Sequence, residues 1–185
     1  QLSPLNEISG ERLNILNRLQ NGESLILIVP LEAALQRVMP RAVLEKLVFP
    51  VYCKMRLERE FLEACLSENG FIRSSLVENK GEYSARGDIV DLFQPCSINP
   101  IRIEFFGDQV ESIREFDVSS QVSTKKLDKL NILPVRELCL NEVDIKRGVE
   151  AIKKFAEKNS SDRLLLKELL EKIEHLGVFS GIEYL

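Results

Sequence analysis

The 185-residue chain contains no tryptophan, only one histidine and only nine glycines. The single histidine, His175, has no cysteine close to it in the sequence, so a zinc site that combines these two residue types is not predicted. No CxxC pair occurs among the four cysteines, which are Cys53, Cys65, Cys96 and Cys139. They therefore predict neither a metal site nor disulfide bonds, and His175 is predicted to be a surface residue of a helix.

Several catalytic and nucleotide-binding motifs are also absent. The glycines form neither GxxxxGK(S/T) nor GxGxxG, so the usual backbone cradle for a phosphate group is missing. No GxSxG motif accompanies the single histidine, which argues against a hydrolase with a catalytic triad. Asp88, Asp91 and Glu104 lie near one another, but carboxylates of this kind also line the solvated edges of ordinary sheets. We therefore predict no enzymatic activity, cofactor or metal for this chain.

Long apolar runs and a strong excess of positive charge are missing as well. The longest apolar run, residues 25–30, is too short to cross a bilayer, and no basic and apolar leader opens the chain. We expect a soluble, cytoplasmic protein that does not contact a membrane. The net charge of −4 and the pI near 5.3 argue against a dedicated nucleic-acid binder. With 44% hydrophobic and 29% charged residues, the composition is that of a globular protein.

Residues 1–50 show a pattern typical of an α/β domain. A helix over residues 11–20 is predicted from leucines at helical spacing and from a stop at Asn21-Gly22. Residues 25–29 are apolar at every position, which favours a parallel strand buried on both faces. Two helical segments are predicted to follow, over residues 31–38 and 42–47. These elements would form part of a doubly wound layer, and we expect the rest of that layer in a longer protein.

Residues 51–135 are predicted to form an α+β domain with a mostly antiparallel sheet. A helix that ends at Asn69-Gly70 is predicted from its apolar face, which consists of Leu57, Phe61, Leu62 and Cys65. Consecutive strands are then predicted over residues 71–77, 82–93, 101–106 and 109–116. The dipeptide Gly107-Asp108 predicts a tight hairpin between the last two strands.

Residues 136–185 are predicted to be helical and to begin a further part of the flanking domain. Asn141 is expected to cap the first helix, Ser160 or Ser161 the second, and Gly177 to end the second helix. The apolar positions of these helices are Val149, Ile152, Phe155, Leu165, Leu166, Leu169 and Ile173. The predicted domain boundaries therefore fall near residues 50 and 135.

The alternation of side chains along residues 101–106 separates two faces of the sheet. If Ile101, Ile103 and Phe105 enter the core, then the alternate residues Arg102, Glu104 and Phe106 face solvent or a partner. An outward arginine and phenylalanine favour a protein-binding hot spot, which Arg86 on the preceding strand could join. Alternatively, Phe106 covers a second small core while the arginines pair with Glu104 and Asp88.

Two longer segments resemble a known family. Residues 81–95 (GEYSARGDIVDLFQP) and 99–121 (NPIRIEFFGDQVESIREFDVSSQ) closely resemble the second domain shared by the excision-repair helicase UvrB and the bacterial transcription-repair coupling factors. Residues 3–22 and 180–185 resemble the flanking first domain of the coupling factors, so the resemblance covers nearly the whole chain. The phrase FDVSSQ is closer to the coupling factors, whereas the RGD sequence at residues 86–88 is closer to the helicase.

This resemblance implies a protein-interaction module without catalytic machinery. In that family the second domain recruits UvrA, the damage-recognition ATPase of nucleotide excision repair, and the implicated residues correspond to Arg86, Arg102 and Phe106. ATP, magnesium, RNA polymerase and DNA would be bound by parts of a full-length coupling factor that lie outside this segment. The alternative is the equivalent part of the UvrB helicase, which contacts UvrA and damaged DNA.

Overall fold

The structure is a computed structural model that describes residues 4–137, 142–159 and 163–176. The chain divides into two compact units, residues 1–137 and 138–185, which are described separately below. The helices are α1 (Pro4–Gln20), α2 (Leu31–Ala34), α3 (Arg41–Leu47), α4 (Arg59–Glu68), α5 (Glu142–Asn159) and α6 (Arg163–Leu176). The strands are β1 (Phe49–Tyr52), β2 (Ile72–Arg73), β3 (Glu82–Arg86), β4 (Ile89–Leu92), β5 (Ile101–Phe106), β6 (Gln109–Phe116), β7 (Ser123–Leu127) and β8 (Lys129–Ile132).

Helix α1 confirms the helix predicted over residues 11–20 and extends it towards the N-terminus. It ends where predicted, because Gly22 adopts a φ of 78°, a left-handed conformation that glycine reaches without strain. Its Leu13 is fully buried against Met39 and against Leu44 of α3. The predicted helix over 42–47 is confirmed as α3, whereas the one predicted over 31–38 is only the single turn of α2.

The prediction of a buried parallel strand over residues 25–29 is wrong. This segment forms neither helix nor strand, and Ile26 and Ile28 are almost completely exposed. A buried parallel strand needs a hydrogen-bonded neighbour, and within the described ranges no strand pairs with residues 25–29. The apolar run therefore indicates only that these side chains are suited to burial. The described residues contain no strand that pairs with this segment.

The predicted α+β architecture with a mostly antiparallel sheet is confirmed. Six strands form one sheet in the order β2-β3-β4-β5-β6-β7, in which only β2 and β3 are parallel, and β1 pairs with β8 in a separate antiparallel ribbon. The single strand predicted over residues 82–93 is instead the hairpin β3-β4, which turns at Gly87 with a φ of 57°. The strand predicted over 71–77 is reduced to the two residues of β2.

The main core lies between α4 and one face of the six-stranded sheet. Leu62 and Leu66 of α4 are fully buried against sheet residues such as Val90 and Ile103. Val51 of β1 is a buried member of the same cluster. Burial of side chains of this size contributes roughly 1.5–3 kcal/mol each. Because strand residues alternate between faces, this packing leaves the opposite face of the sheet to carry the polar residues of the same strands.

The second unit contains the two predicted C-terminal helices, α5 and α6. Val149 and Ile173 are buried between them, with Ile152 and Leu169 packed alongside, whereas Phe155 is largely exposed. The predicted caps Asn141, Ser160 and Ser161, the predicted stop Gly177, Cys139 and the side chains of Leu165 and His175 lie outside the described residues. Across the described helices, none is both long enough and apolar enough to cross a membrane.

Candidate functional site

The sheet face opposite α4, called the outer face below, carries a patch of polar and charged residues. The cross-strand register places Ser84, Asp91, Arg102 and Arg114 side by side on β3, β4, β5 and β6. A second row, one pleat further along, consists of Arg86, Ile89, Glu104 and Ser112. Phe106 follows Glu104 by two residues on β5 and therefore shares this face. The outer face thus brings together the three residues predicted as a binding site.

Asp91 and Arg102 form the most buried ion pair of the outer face. The Arg102 Nε donates to Asp91 Oδ1 at 2.7 Å, and its Nη2 donates to Asp91 Oδ2 at 2.9 Å. The Asp91 side chain is only 1% exposed and that of Arg102 only 16%. Such a two-pronged arginine–carboxylate pair is stronger and more directional than a single charged contact. Arg102 is therefore part of the internal structure of the sheet.

Two further contacts fix the Arg102 guanidinium. Its carbon lies 4.6 Å from the centre of the Phe116 ring, which is a favourable cation–π arrangement. Its Nη1 donates to the backbone carbonyl of Gln121 at 3.3 Å. The hydrogen bond to Asp91 raises the pKa of Arg102 above the ordinary arginine value, although burial acts in the opposite direction. The group is thus charged and held in one orientation.

Arg86 shares the same carboxylate but is much freer. Its Nη2 lies 3.5 Å from Asp91 Oδ2, at the outer limit of a hydrogen bond, and its side chain is 55% exposed. The turn that follows it is held on two sides, because Arg59 of α4 donates to the Gly87 carbonyl at 2.7 Å and the Phe105 amide donates to the Asp88 carbonyl at 2.8 Å. The well-ordered turn therefore presents a solvent-accessible guanidinium that makes only one long contact.

Phe106 stands at the end of β5, beside the hairpin turn at Gly107. It is 79% exposed, whereas its neighbour Phe105 is buried in the main core. The alternative in which Phe106 covers a second small core is therefore wrong. A second cluster does exist on this side of the sheet, but it is formed by Val77, Phe93 and Phe116. An aromatic ring of this exposure offers a large apolar area to a partner.

The arginines do not pair with Glu104 and Asp88, as the alternative interpretation of the sequence expected. Asp91 is the acceptor for Arg102 and Arg86, whereas Glu104 binds Arg114 at 3.1 Å and accepts the Ser112 hydroxyl at 2.5 Å. Sequence reasoning noted Asp91 only as one of several nearby carboxylates, because cross-strand register is not visible in the sequence. Within the described ranges no cluster of three or more histidine, cysteine, aspartate or glutamate residues is arranged to hold a metal ion.

The sheet-containing part of the chain matches a known protein family. The model of the UvrB interaction domain matches residues 49–138, which include β1 to β8 and α4. Residues 49–138 therefore belong to the UvrB interaction domain family. The outer face lies entirely within the matched span.

Comparison with curated proteins extends the match beyond this domain. The chain is 33% identical to the transcription-repair-coupling factor of Myxococcus xanthus over 94% of its own length. It is 36% identical to the proteins of the same name from Bacillus subtilis, over 79% of its length, and from Escherichia coli, over 73%. Over most of its length the chain is thus homologous to a segment of the transcription-repair-coupling factors. It spans only 14%, 12% and 12% of the length of these three relatives.

Proposed function

We propose that residues 49–138 bind UvrA through the outer face and thereby recruit it for nucleotide excision repair at stalled RNA polymerase. The observation that carries this proposal is the exposure of Phe106 on the same sheet face as Arg86 and the buried Asp91–Arg102 pair. Membership in the UvrB interaction domain family and homology to transcription-repair-coupling factors support it.

The physical basis is that of a binding hot spot. Aromatic and arginine side chains dominate the energetics of protein interfaces, because they combine a large contact area with directional hydrogen bonds. The backbone beneath Arg86 and Phe106 is already ordered by the sheet and by the contacts of the Gly87 turn. A partner would therefore have to immobilise two side chains rather than a loop, which lowers the entropic cost of binding.

The proposal assigns only the docking step to this chain. Contacts with RNA polymerase and DNA, and the use of ATP and magnesium, are proposed to belong to other parts of a longer protein. Docking through an arginine and a phenylalanine requires no cofactor in this chain. The net charge of −4 also makes DNA a poor ligand for the chain as a whole.

An equilibrium titration of the chain with purified UvrA tests the proposal. The variants are Arg86→Ala and, as a matched control, Arg73→Ala. Arg73 is also exposed and bonded to a carboxylate, Glu63 at 3.4 Å, but it pairs with Tyr83 and so lies on the α4 side of the sheet. We expect the parent to bind, Arg86→Ala to bind roughly tenfold more weakly, and Arg73→Ala to bind like the parent.

Two results would contradict the proposal. One is the absence of binding by the parent chain under conditions in which UvrA is folded and active. The other is an equal loss of affinity in both arginine variants, since it would place the docking surface elsewhere or indicate a non-specific charge effect.

A further inference from the structure

Among the described residues, Asp91 is the one buried carboxylate of the outer face that two arginines approach. Arg102 binds both of its oxygens, at 2.7 and 2.9 Å, while Arg86 reaches only one of them, at 3.5 Å. One negative charge is thus shared between two positive charges. Because Arg102 has the shorter and doubled contact, it is the main partner of Asp91, and Arg86 keeps only a weak attraction to this carboxylate and leaves most of its donors to solvent or to a partner.

We infer that Asp91 is a positioning residue of the docking face. It holds Arg102 in place as an internal anchor, and it orients Arg86, whose guanidinium binds a carboxylate of the partner. This inference rests on the proposed docking function and assigns a separate role to each of its residues. Arg86 and Phe106 make the contact, whereas Arg102 and Asp91 act through them. The partner surface must accordingly supply a carboxylate next to an apolar pocket.

The hydrogen-bonding capacity of the two arginines supports this division. A guanidinium has five N–H groups. Arg102 directs its Nε and Nη2 to Asp91 and its Nη1 to the Gln121 carbonyl, and its guanidinium carbon lies over the Phe116 ring. Few of its donors remain for a partner. Arg86 makes one long contact and is 55% exposed, so most of its donors are available.

The long contact to Asp91 also gives Arg86 a preferred direction. An arginine side chain loses considerable rotamer freedom when it is immobilised at an interface, and any restriction already present in the free protein lowers that cost. Attraction to Asp91 at 3.5 Å is such a restriction, and it is weak enough for Arg86 to turn to a stronger acceptor. An Asp91→Asn variant keeps the shape of the side chain but loses the charge that exerts this attraction.

A double-mutant cycle with UvrA as the probe tests the inference. The affinities of the parent, Asp91→Asn, Arg86→Ala and the double variant are measured by titration, with folding checked by circular dichroism. We expect Asp91→Asn to weaken binding about tenfold in the parent and less than about threefold in the Arg86→Ala background, because the residue that it positions is gone. Equal losses in both backgrounds would overturn the inference, because Asp91 would then affect binding independently of Arg86.

Arg102→Lys provides a second arm if Asp91→Asn fails to fold. Lysine keeps the charge beside Asp91 but cannot fork onto both of its oxygens. If Arg102 is an anchor, Arg102→Lys should lose less affinity for UvrA than Arg86→Ala does. A loss of affinity at least as large as that of Arg86→Ala would indicate that Arg102 itself contacts UvrA, and it would overturn the inference. A parent chain that does not bind UvrA would overturn the proposed function and this inference together, whereas binding with additive losses would overturn the inference alone.

Discussion

Asp91 and Arg102 are directly opposite each other on β4 and β5, and two hydrogen bonds of 2.7 and 2.9 Å join their side chains. The pair connects the middle of the sheet to the Gln121 turn and to the Phe116 ring. It therefore contributes to the stability of the domain as well as to the geometry of the outer face. A variant at either position must be tested for both effects.

Loss of Arg102 is expected to destabilise the protein strongly. Arg102→Ala leaves the carboxylate of Asp91 buried, with only the long contact to Arg86, and removal of one member of a buried ion pair costs about 3–5 kcal/mol. Urea denaturation of the first unit measures the change in the free energy of unfolding. The control is Arg41→Ala, which removes an exposed pair with Glu45 at 2.7 Å and should cost at most about 0.5 kcal/mol. Similar costs for the two variants would show that burial of the Asp91–Arg102 pair has no energetic importance.

The elements that the sequence predicted best are those with a complete local pattern. In β5 and β6 the alternation of apolar residues and the Gly107-Asp108 turn were enough to give both strand bounds, and the outward placement of Phe106 is confirmed. Helix α1 was found for the same reason, since its leucines and Gly22 are all local signals.

The errors arose where the outcome depends on distant residues. Residues 25–29 have the composition of a buried strand, but a strand forms only beside a partner. The hairpin at Gly87 was missed although a glycine and an aspartate mark it, because apolar residues continue on both sides. The contact between Asp91 and Arg102 spans two strands, and only the register could have paired Arg102 with Asp91 rather than with Asp88 or Glu104.

Gly10 is predicted to be irreplaceable in α1. A Cβ at this position would overlap the Cβ of Pro95, whose ring is rigid, and would lie 3.2 Å from the Cys96 amide nitrogen. Gly10→Ala should therefore destabilise the docking of α1 by about 1–3 kcal/mol, in spite of the better helix propensity of alanine. Hydrogen exchange at the Leu13 amide measures this loss.

Gly148 of α5 supplies the matched comparison for Gly10. A Cβ there meets no atom of the described residues within 4 Å apart from its own helix backbone and chain neighbours, so Gly148→Ala should stabilise α5 by roughly 0.5–1 kcal/mol through propensity alone. Hydrogen exchange within α5 measures the gain. Stabilisation by both alanine substitutions would contradict the close approach of Gly10 to Pro95.

Glu82 is predicted to make stability dependent on pH. Burial acts to raise the pKa of its carboxyl, but hydrogen bonds from the backbone amides of Glu78 and Asn79 and from the Asn79 side chain lower it below the ordinary value. The unfolded chain therefore binds this proton more readily than the folded chain. The resulting stabilisation is complete above the unfolded pKa, which is about 4.3, and is lost as the pH falls through the lower folded value.

Denaturation of the parent and of Glu82→Gln at several pH values measures this effect. Glu82→Gln should be less stable than the parent at about pH 7, and the difference should shrink as the pH falls below about 4. A difference that stays constant across this range would show that the charge of Glu82 does not contribute.

Phe106 offers the most direct test of the docking face, because it is 79% exposed and its truncation disturbs no described part of the core. The measurement is the affinity for UvrA of Phe106→Ala and of Phe61→Ala. Phe61 is an exposed phenylalanine of α4 on the opposite side of the sheet, where it contacts Phe49 with ring centres 5.8 Å apart. We predict that Phe106→Ala loses about 2 kcal/mol of binding free energy without loss of stability, while Phe61→Ala binds UvrA like the parent. Unchanged affinity in Phe106→Ala, or an equal loss in Phe61→Ala, would contradict the proposal that UvrA docks on the outer face.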